Sequence, residues 1–200
     1  MPSKSERTQQ FILEKSINLF NTKGYENTHI QDITKAVGMT KGAIYGNFET
    51  KQELMIAAFE YGFQKVNALM TNMLAEGKTA SEKLFKMIEY FDIHFQEPPF
   101  EGGCLMLNAA IEADDNNPEL QVKVSKAFGK WQKSITKILQ QGIENKEIKE
   151  SVNCDEFADL FIASLEGALM LSKIRNSRLP LKHTQDFLKR LIIRDLQIRN

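Results

Sequence analysis

Apolar residues recur three and four positions apart along nearly the whole chain, and no run of Val, Ile and Thr alternates with polar residues for long. That period predicts helices, and the polar residues at their edges mark where they begin. Thr28 with Gln31, Thr50 with Glu53 and Thr79 with Glu82 each have the spacing of a reciprocal helix cap. Asn117-Pro118 sets a capping residue before a proline, whose missing N–H is not needed at a first helical position. Glycines and prolines supply the stops. The pattern predicts nine helices, at about 5–22, 29–36, 41–47, 51–75, 80–96, 102–114, 118–146, 155–176 and 183–198. The expected fold class is all-α, without internal repeats or low-complexity tracts.

The first 50 residues differ from the rest. Their helices are short and joined by tight glycine turns, whereas the helices after Thr50 lengthen. Two domains are expected, 1–50 and 51–200, meeting without a flexible linker. Within the first, Ile30, Ile33 and Val37 share one side of the second helix, and Gly38 permits the left-handed residue that ends it sharply. Met39 plugs the corner, Thr40 caps the third helix, and Ile44 and Phe48 pack back onto a platform of Ile12, Ser16, Leu19 and Phe20. Two short helices joined by a brief glycine-containing turn make a helix-turn-helix.

The outward face of the third helix is then Thr40, Lys41, Gly42, Ala43, Tyr45, Gly46 and Asn47. Small residues at 42, 43 and 46 suit close approach to a groove floor. Lys41 reaches a base edge or phosphate, Ala43 a thymine methyl, and Tyr45 and Asn47 phosphates. Thr28 and Lys51 are expected at helix N-termini, where amides and the helix dipole favour a phosphate. The plainer alternative is a small helical core with a solvated Lys/Thr/Asn face.

Bulk composition neither adds to nor removes this reading. Hydrophobic residues are 42% of the 200 and charged residues 26%, ordinary for a globular protein. Lys+Arg and Asp+Glu are both 26, so the net charge is zero and any nucleic-acid argument must be local. Residues 1–55 carry seven bases (Lys4, Arg7, Lys15, Lys23, Lys35, Lys41, Lys51) and six acids (Glu6, Glu14, Glu26, Asp32, Glu49, Glu53), a net of +1. That favours a few placed contacts over a basic coat. The polar opening has no apolar run behind it like a signal peptide, and the greasiest stretch, 157–174, is broken by Asp159, Glu166 and Lys173. Two cysteines make no disulfide framework, so a cytoplasmic protein with reduced thiols is expected.

Gly24-Tyr25, Thr28, Ile33, Val37-Gly38-Met39-Thr40-Lys41-Gly42, Ile44-Tyr45, Phe48, Lys51 and Leu54 together resemble the signature of the TetR family of transcriptional regulators. The resemblance covers about the first 55 residues. It implies a nine-helix TetR-like fold and a two-fold dimer acting as a transcriptional repressor on a palindromic operator. It also implies a DNA-facing set of Thr28, Thr40, Lys41, Tyr45, Asn47 and Lys51. Many relatives have histidine where this chain has Gly46 or Asn47, which alters individual contacts.

The same resemblance implies that the last two long helices pack against their copies in a four-helix bundle. The eighth helix is apolar on more than one face, so one face needs something beyond its own core. Leu160, Ala163, Ser164 and Gly167, with Phe187, Leu188, Leu191 and Ile192 on the ninth, are the expected homodimer interface. Relatives hold ligands among the fourth to eighth helices. The candidates here are Phe63, Met87, Tyr90, Phe91, Cys104, Leu107, Phe128, Trp131, Phe161 and Met170, each also an ordinary core residue type. With few charges in that set, the expected small-molecule effector is hydrophobic or aromatic.

Gly102-Gly103-Cys104-Leu105 resembles a stretch in the part of the family that senses electrophiles or oxidants. A thiol at a helix N-terminus is activated toward the thiolate, whereas a buried one is simply a small hydrophobe. Cys154 reads as inert. An enzyme is not expected. His29, His94 and His183 have no partner at metal-ligand spacing, and Glu112 with Asp114-Asp115 reads as a solvated loop and cap. No phosphate-cradling glycine loop is present, and neither metal nor cofactor is expected. The rival from another class is a helical small-molecule or protein-binding module that recognises no operator.

Overall fold

Local signals place most of the helix ends. In the computed structural model, which describes residues 3–198 apart from the side chains of 114–116, Ser3 opens α1 (Lys4–Lys23) with a reciprocal cap to Glu6. Next come α2 (Ile30–Val37), α3 (Lys41–Tyr45) and α4 (Lys51–Ala75). Thr79 and Glu82 form the expected cap of α5 (Ala80–Gln96). The chain continues as α6 (Leu105–Asn116), α7 (Pro118–Glu144), α8 (Cys154–Ile174) and α9 (Leu179–Leu191), the last prolonged by a π-helical turn over 192–196. Among the described residues the only extended pairing is a single antiparallel bridge between Ile148 and Gln197.

Three expectations need correction. The cap of α2 is not Thr28: the helix begins after His29, whose N–H donates to the Asp32 carboxylate at 3.0 Å. Helix α3 ends at Tyr45, because Gly46, Asn47 and Phe48 turn back on the Gly42 and Ile44 carbonyls. Helix α9 starts at Leu179 and not near 183, since Pro180 sits in its first turn, where it displaces no hydrogen bond.

The chain forms two compact units. The first takes residues 1–66 and 99–127: α1 to α3, the start of α4, α6 and the start of α7. Its core includes Ile12, Ile17, Phe20, Tyr25, Ile33, Ile44, Leu54, Phe59, Leu105 and Leu120. Phe20 and Tyr25 stack at 5.2 Å between ring centroids. Burial, then the Glu112 charge, pushes the Tyr25 hydroxyl well above the usual tyrosine range.

The second unit takes residues 67–98 and 128–200: the rest of α4, α5, the rest of α7, α8 and α9. Helices α8 and α9 pack against each other and both against α5. The α8–α9 turn is held by the Ser172 hydroxyl, which accepts from Leu181 N–H at 3.0 Å, and by Arg178 pairing with Asp92 of α5. The end of α7 is fixed by Ala80 N–H donating to Glu147 at 2.6 Å.

Candidate functional site

The corner between α2 and α3 follows from two residues. Gly38 has φ +68° and ψ +25°, the left-handed conformation that costs a side chain about 1–2 kcal/mol and glycine nothing. Its N–H returns to the Thr34 carbonyl at 3.0 Å. Thr40 then caps α3, its hydroxyl accepting from Ala43 N–H at 3.2 Å. Ile44 is the buried peg of α3, and Phe48 is buried just beyond it.

With Ile44 inward, Lys41, Gly42, Ala43, Tyr45 and Gly46 all face solvent, as does Thr40 before them. The Lys41 ammonium lies 5.7 Å from the Tyr45 ring centroid, so the two extended side chains lean together. Asn47 is half-buried, with its amide donating to the Ala43 carbonyl at 2.9 Å and its own carbonyl accepting from Gln9. Lys51, at the N-terminus of α4, donates to the Glu26 carbonyl at 3.2 Å. That N-terminus is capped by the Thr50 hydroxyl, which accepts from Glu53 N–H.

Thr28 is not on this face. Its side chain is fully buried and its hydroxyl donates to the Gly24 carbonyl at 2.6 Å. It shapes the loop between α1 and α2 and offers no hydroxyl to a phosphate.

Gly42 has no internal reason to be glycine. A Cβ built there would meet nothing nearer than the Thr40 hydroxyl at 4.0 Å, and its backbone is helical. Glycine inside a helix costs about 1 kcal/mol against alanine, and nothing within the described residues offsets that. A smooth outward surface is what the glycine supplies.

Elsewhere in the first unit, α6 is fastened to α1 by groups the local pattern did not reveal. Asn21 of α1 is buried, and its amide donates to the carbonyls of Glu101 at 2.6 Å and Gly103 at 3.0 Å. The Asn108 amide of α6 returns to Asn21 Oδ1 at 3.0 Å and to the Gly102 carbonyl at 3.1 Å. Gly102 is required here: its φ is +99°, and a Cβ would fall 2.3 Å from the Asn21 carbonyl oxygen. Glu112, expected in a solvated cluster, instead accepts from the N–H groups of Tyr25 at 2.5 Å and Glu26 at 3.2 Å. The side chains of Asp114 and Asp115, its expected companions, lie outside the described residues.

Helix α6 starts at Leu105 and not near 102, because Gly102 and Gly103 both have φ +99°; Cys104 is its N-cap residue and is buried. Cys154 is the first residue of α8; burial, then Asp155, pushes its thiol up and away from reactivity.

The ten candidate effector residues divide between the units. Phe63, Cys104 and Leu107 belong to the first, and Met87, Tyr90, Phe91, Phe128, Trp131, Phe161 and Met170 to the second. Within the second, Phe128, Trp131, Phe91, Tyr90 and His94 form a continuous chain of ring contacts, with centroid separations of 5.5–6.3 Å. Tyr90 Oη and His94 Nδ1 are 3.2 Å apart. Met170 is 44% exposed on α8 and does not line this interior. His94 of α5 and Glu166 of α8 are buried polar residues that the apolar reading passed over.

The expected dimer residues also divide, by facing direction. Leu160 (61% exposed), Ala163, Ser164 and Gly167 line one side of α8, and the stripe continues through Leu171 to Ile174 (79% exposed). Phe187 is half-exposed on α9, next to an apolar hollow lined also by Arg190, Leu191, Ile193 and Arg194. Leu188 and Ile192 belong to the interior of the unit, so they are corrected from interface to core.

Among the described residues no three His, Cys, Asp or Glu side chains come together as a metal would need, and no helix is long and apolar enough to cross a membrane.

Comparison with known proteins matches both parts of the chain. Residues 12–58 match the model of bacterial regulatory proteins of the tetR family, and residues 80–188 match a tetracyclin repressor-like C-terminal domain. A TetR transcriptional regulator from Chloroflexus aurantiacus is 36% identical, with 98% of this chain and 99% of that one covered and a TM-score of 0.95. A TetR-family regulator from Cytophaga hutchinsonii is 33% identical over the whole of both chains, with a TM-score of 0.92. The repressor DhaR of a Mycobacterium species is 27% identical over 86% of each chain. With its capped turn, its outward-facing α3 and these matches over both parts, the chain belongs to the TetR family of helix-turn-helix transcriptional regulators.

Proposed function

We propose that this protein is a one-component repressor that binds a palindromic operator as a homodimer and releases it when a small effector occupies the larger, C-terminal part. Functionally it divides at residue 50, the reading head before and the effector-binding and dimerising part after. The observation that carries the reading is the outward face of α3, where Lys41, Ala43 and Tyr45 flank a glycine that no contact among the described residues requires. In a major groove, Gly42 gives the helix room, Ala43 meets a thymine methyl, and Lys41 and Tyr45 reach a base edge and phosphates. Asn47 and Lys51 add contacts from the flanking turn and the α4 N-terminus, where amides and dipole favour a phosphate. The partner is cytoplasmic double-stranded DNA.

The exposed stripe from Leu160 to Ile174, with Phe187, is the surface a second copy would cover. A dimer so formed presents two α3 helices to successive major grooves, about 34–36 Å apart. An effector that favours a splayed dimer by a few kcal/mol suffices to release the operator.

A thiol-based version, with Cys104 as sensor, has the N-cap position in its favour and burial against it. A binding module without operator recognition remains the rival, and one experiment separates the two. Fluorescence anisotropy of operator-length duplex from upstream of the gene, over a salt series, should show sequence-selective binding with log K falling linearly against log salt. Lys41→Ala should weaken binding and reduce that slope by about one. Binding to every duplex alike, including those from a random-sequence selection, would hand the chain to the rival.

A further inference from the structure

One buried donor among the five linked rings of the second unit has no acceptor among the described residues. Trp131 of α7 is 3% exposed, and its indole Nε1–H is buried with no hydrogen-bond acceptor among the described residues. An indole N–H only donates. Left unmade inside a low-dielectric interior, that bond is expensive, and buried polar groups are almost always paired. The neighbouring ring hydroxyl does have its contact: Tyr90 Oη meets His94 Nδ1. Two edge-on rings, Phe91 of α5 and Phe128 of α7, stand against Trp131 at 6.1 and 6.3 Å. Phe128 is the half-buried member of the five, and so the ring nearest solvent. Met87 lies on the same helix as Phe91 and is buried too; its flexible thioether side chain adapts to the shape of a neighbour.

We propose that this ring cluster is the effector seat, and that the effector is a planar aromatic compound carrying a carbonyl or similar hydrogen-bond acceptor, which takes the Trp131 N–H. This deepens the ligand-released repressor reading and rests on it. The rings supply shape and π contact for any flat apolar guest. The indole N–H supplies the discrimination, because a guest without an acceptor leaves that donor unpaired while displacing whatever solvent had reached it. Specificity therefore turns on one atom on the guest's edge, and ring substituents away from that edge matter less.

Trp131 is the only tryptophan in the sequence, so its emission reports directly on the seat. Two matched pairs serve as probes: acetophenone with ethylbenzene, and 2-acetylnaphthalene with 2-ethylnaphthalene. Each pair differs by the carbonyl acceptor and little else. On the wild-type dimer each ketone should bind about tenfold tighter than its hydrocarbon partner, read by Trp131 quenching and by release of labelled operator. Trp131→Phe keeps a ring and removes the N–H; by operator release the pairs should then bind within about twofold of each other. Equal binding within both pairs on the wild type, no binding by either ketone, or a ketone preference that survives Trp131→Phe would each overturn the proposal. The wild-type titration decides even if Trp131→Phe folds poorly. Failure here with operator binding intact removes only the effector assignment, whereas loss of selective operator binding removes the repressor reading beneath it.

Discussion

Removing the Asn21 side chain should unfasten α6 from α1. The amide makes three contacts: donations to the Glu101 and Gly103 carbonyls at 2.6 and 3.0 Å, and acceptance from Asn108 at 3.0 Å. Each hydrogen bond is worth about 0.5–1.5 kcal/mol net, and the partners left behind are only partly reachable by water. Asn21→Ala should therefore lower the unfolding free energy by about 2–4 kcal/mol, or about 5–10 °C in melting temperature for a chain this long. Asn21→Asp is the sharper test. It keeps the shape but turns an oxygen toward two carbonyl oxygens, so at neutral pH it should cost at least as much. The loss should shrink as the pH falls and the acid regains a proton to donate, because its folded-state pKa is raised. Urea unfolding at fixed protein concentration reads both, since the stability of the proposed dimer would depend on concentration. Thr22→Ala, on the exposed side of the same helix, is the control and should stay within about 0.5 kcal/mol. An Asn21→Ala loss no larger than that control would refute the claim that this network fastens the two helices.

Three further outcomes are expected. Gly38→Ala should destabilise by about 1–2 kcal/mol through backbone conformation alone, since a Cβ there meets nothing within 4 Å, and Gly38→Asn should cost less; denaturant titration distinguishes them. The Asp32 carboxyl is held below its usual range, first by the Lys23 ammonium hydrogen bond and then by the His29 N–H. A depressed pKa stabilises above the unfolded value and loses that contribution as pH falls through the folded one. Asp32→Asn should therefore be less stable than wild type at neutral pH, with the gap closing below about pH 4. Leu160→Glu combined with Ile174→Glu changes two side chains exposed in the protomer, so the fold should survive while sedimentation shows monomer and operator affinity drops at least about tenfold; a stable dimer would move the interface elsewhere.

What the sequence disclosed depended on how far each cause reaches along the chain. Helices α4 and α5 run over the residues their caps and stops predicted, because Thr50, Thr79 and their acids act within one turn. Thr28 misled because two adjacent residues could both begin α2, and only the packing of the α1–α2 loop decides which one turns inward. Pro180 misled because a proline reads equally as a stop or as a first turn. The fastening of α6 joins Asn21 and Glu112 to partners 80 or more positions away, beyond any periodicity. On α8 and α9 the doubled apolar character was legible, but which side faces the core was not: Leu188 and Phe187 are neighbours of like chemistry and opposite fate.

Helix α3 has five residues, too few to hold itself together in water. It exists because Gly38 turns the chain, Thr40 caps it and Ile44 pins it, and none of these three duties falls on Lys41, Gly42, Ala43 or Tyr45. Mutations at those four positions are therefore nearly free of folding consequences. After a gene duplication, the two copies could drift to different target sequences by single substitutions there, each intermediate still folded and still able to pair. On the proposed reading, the address is stored separately from the frame that holds it, and the address is the part that evolution can rewrite quickly.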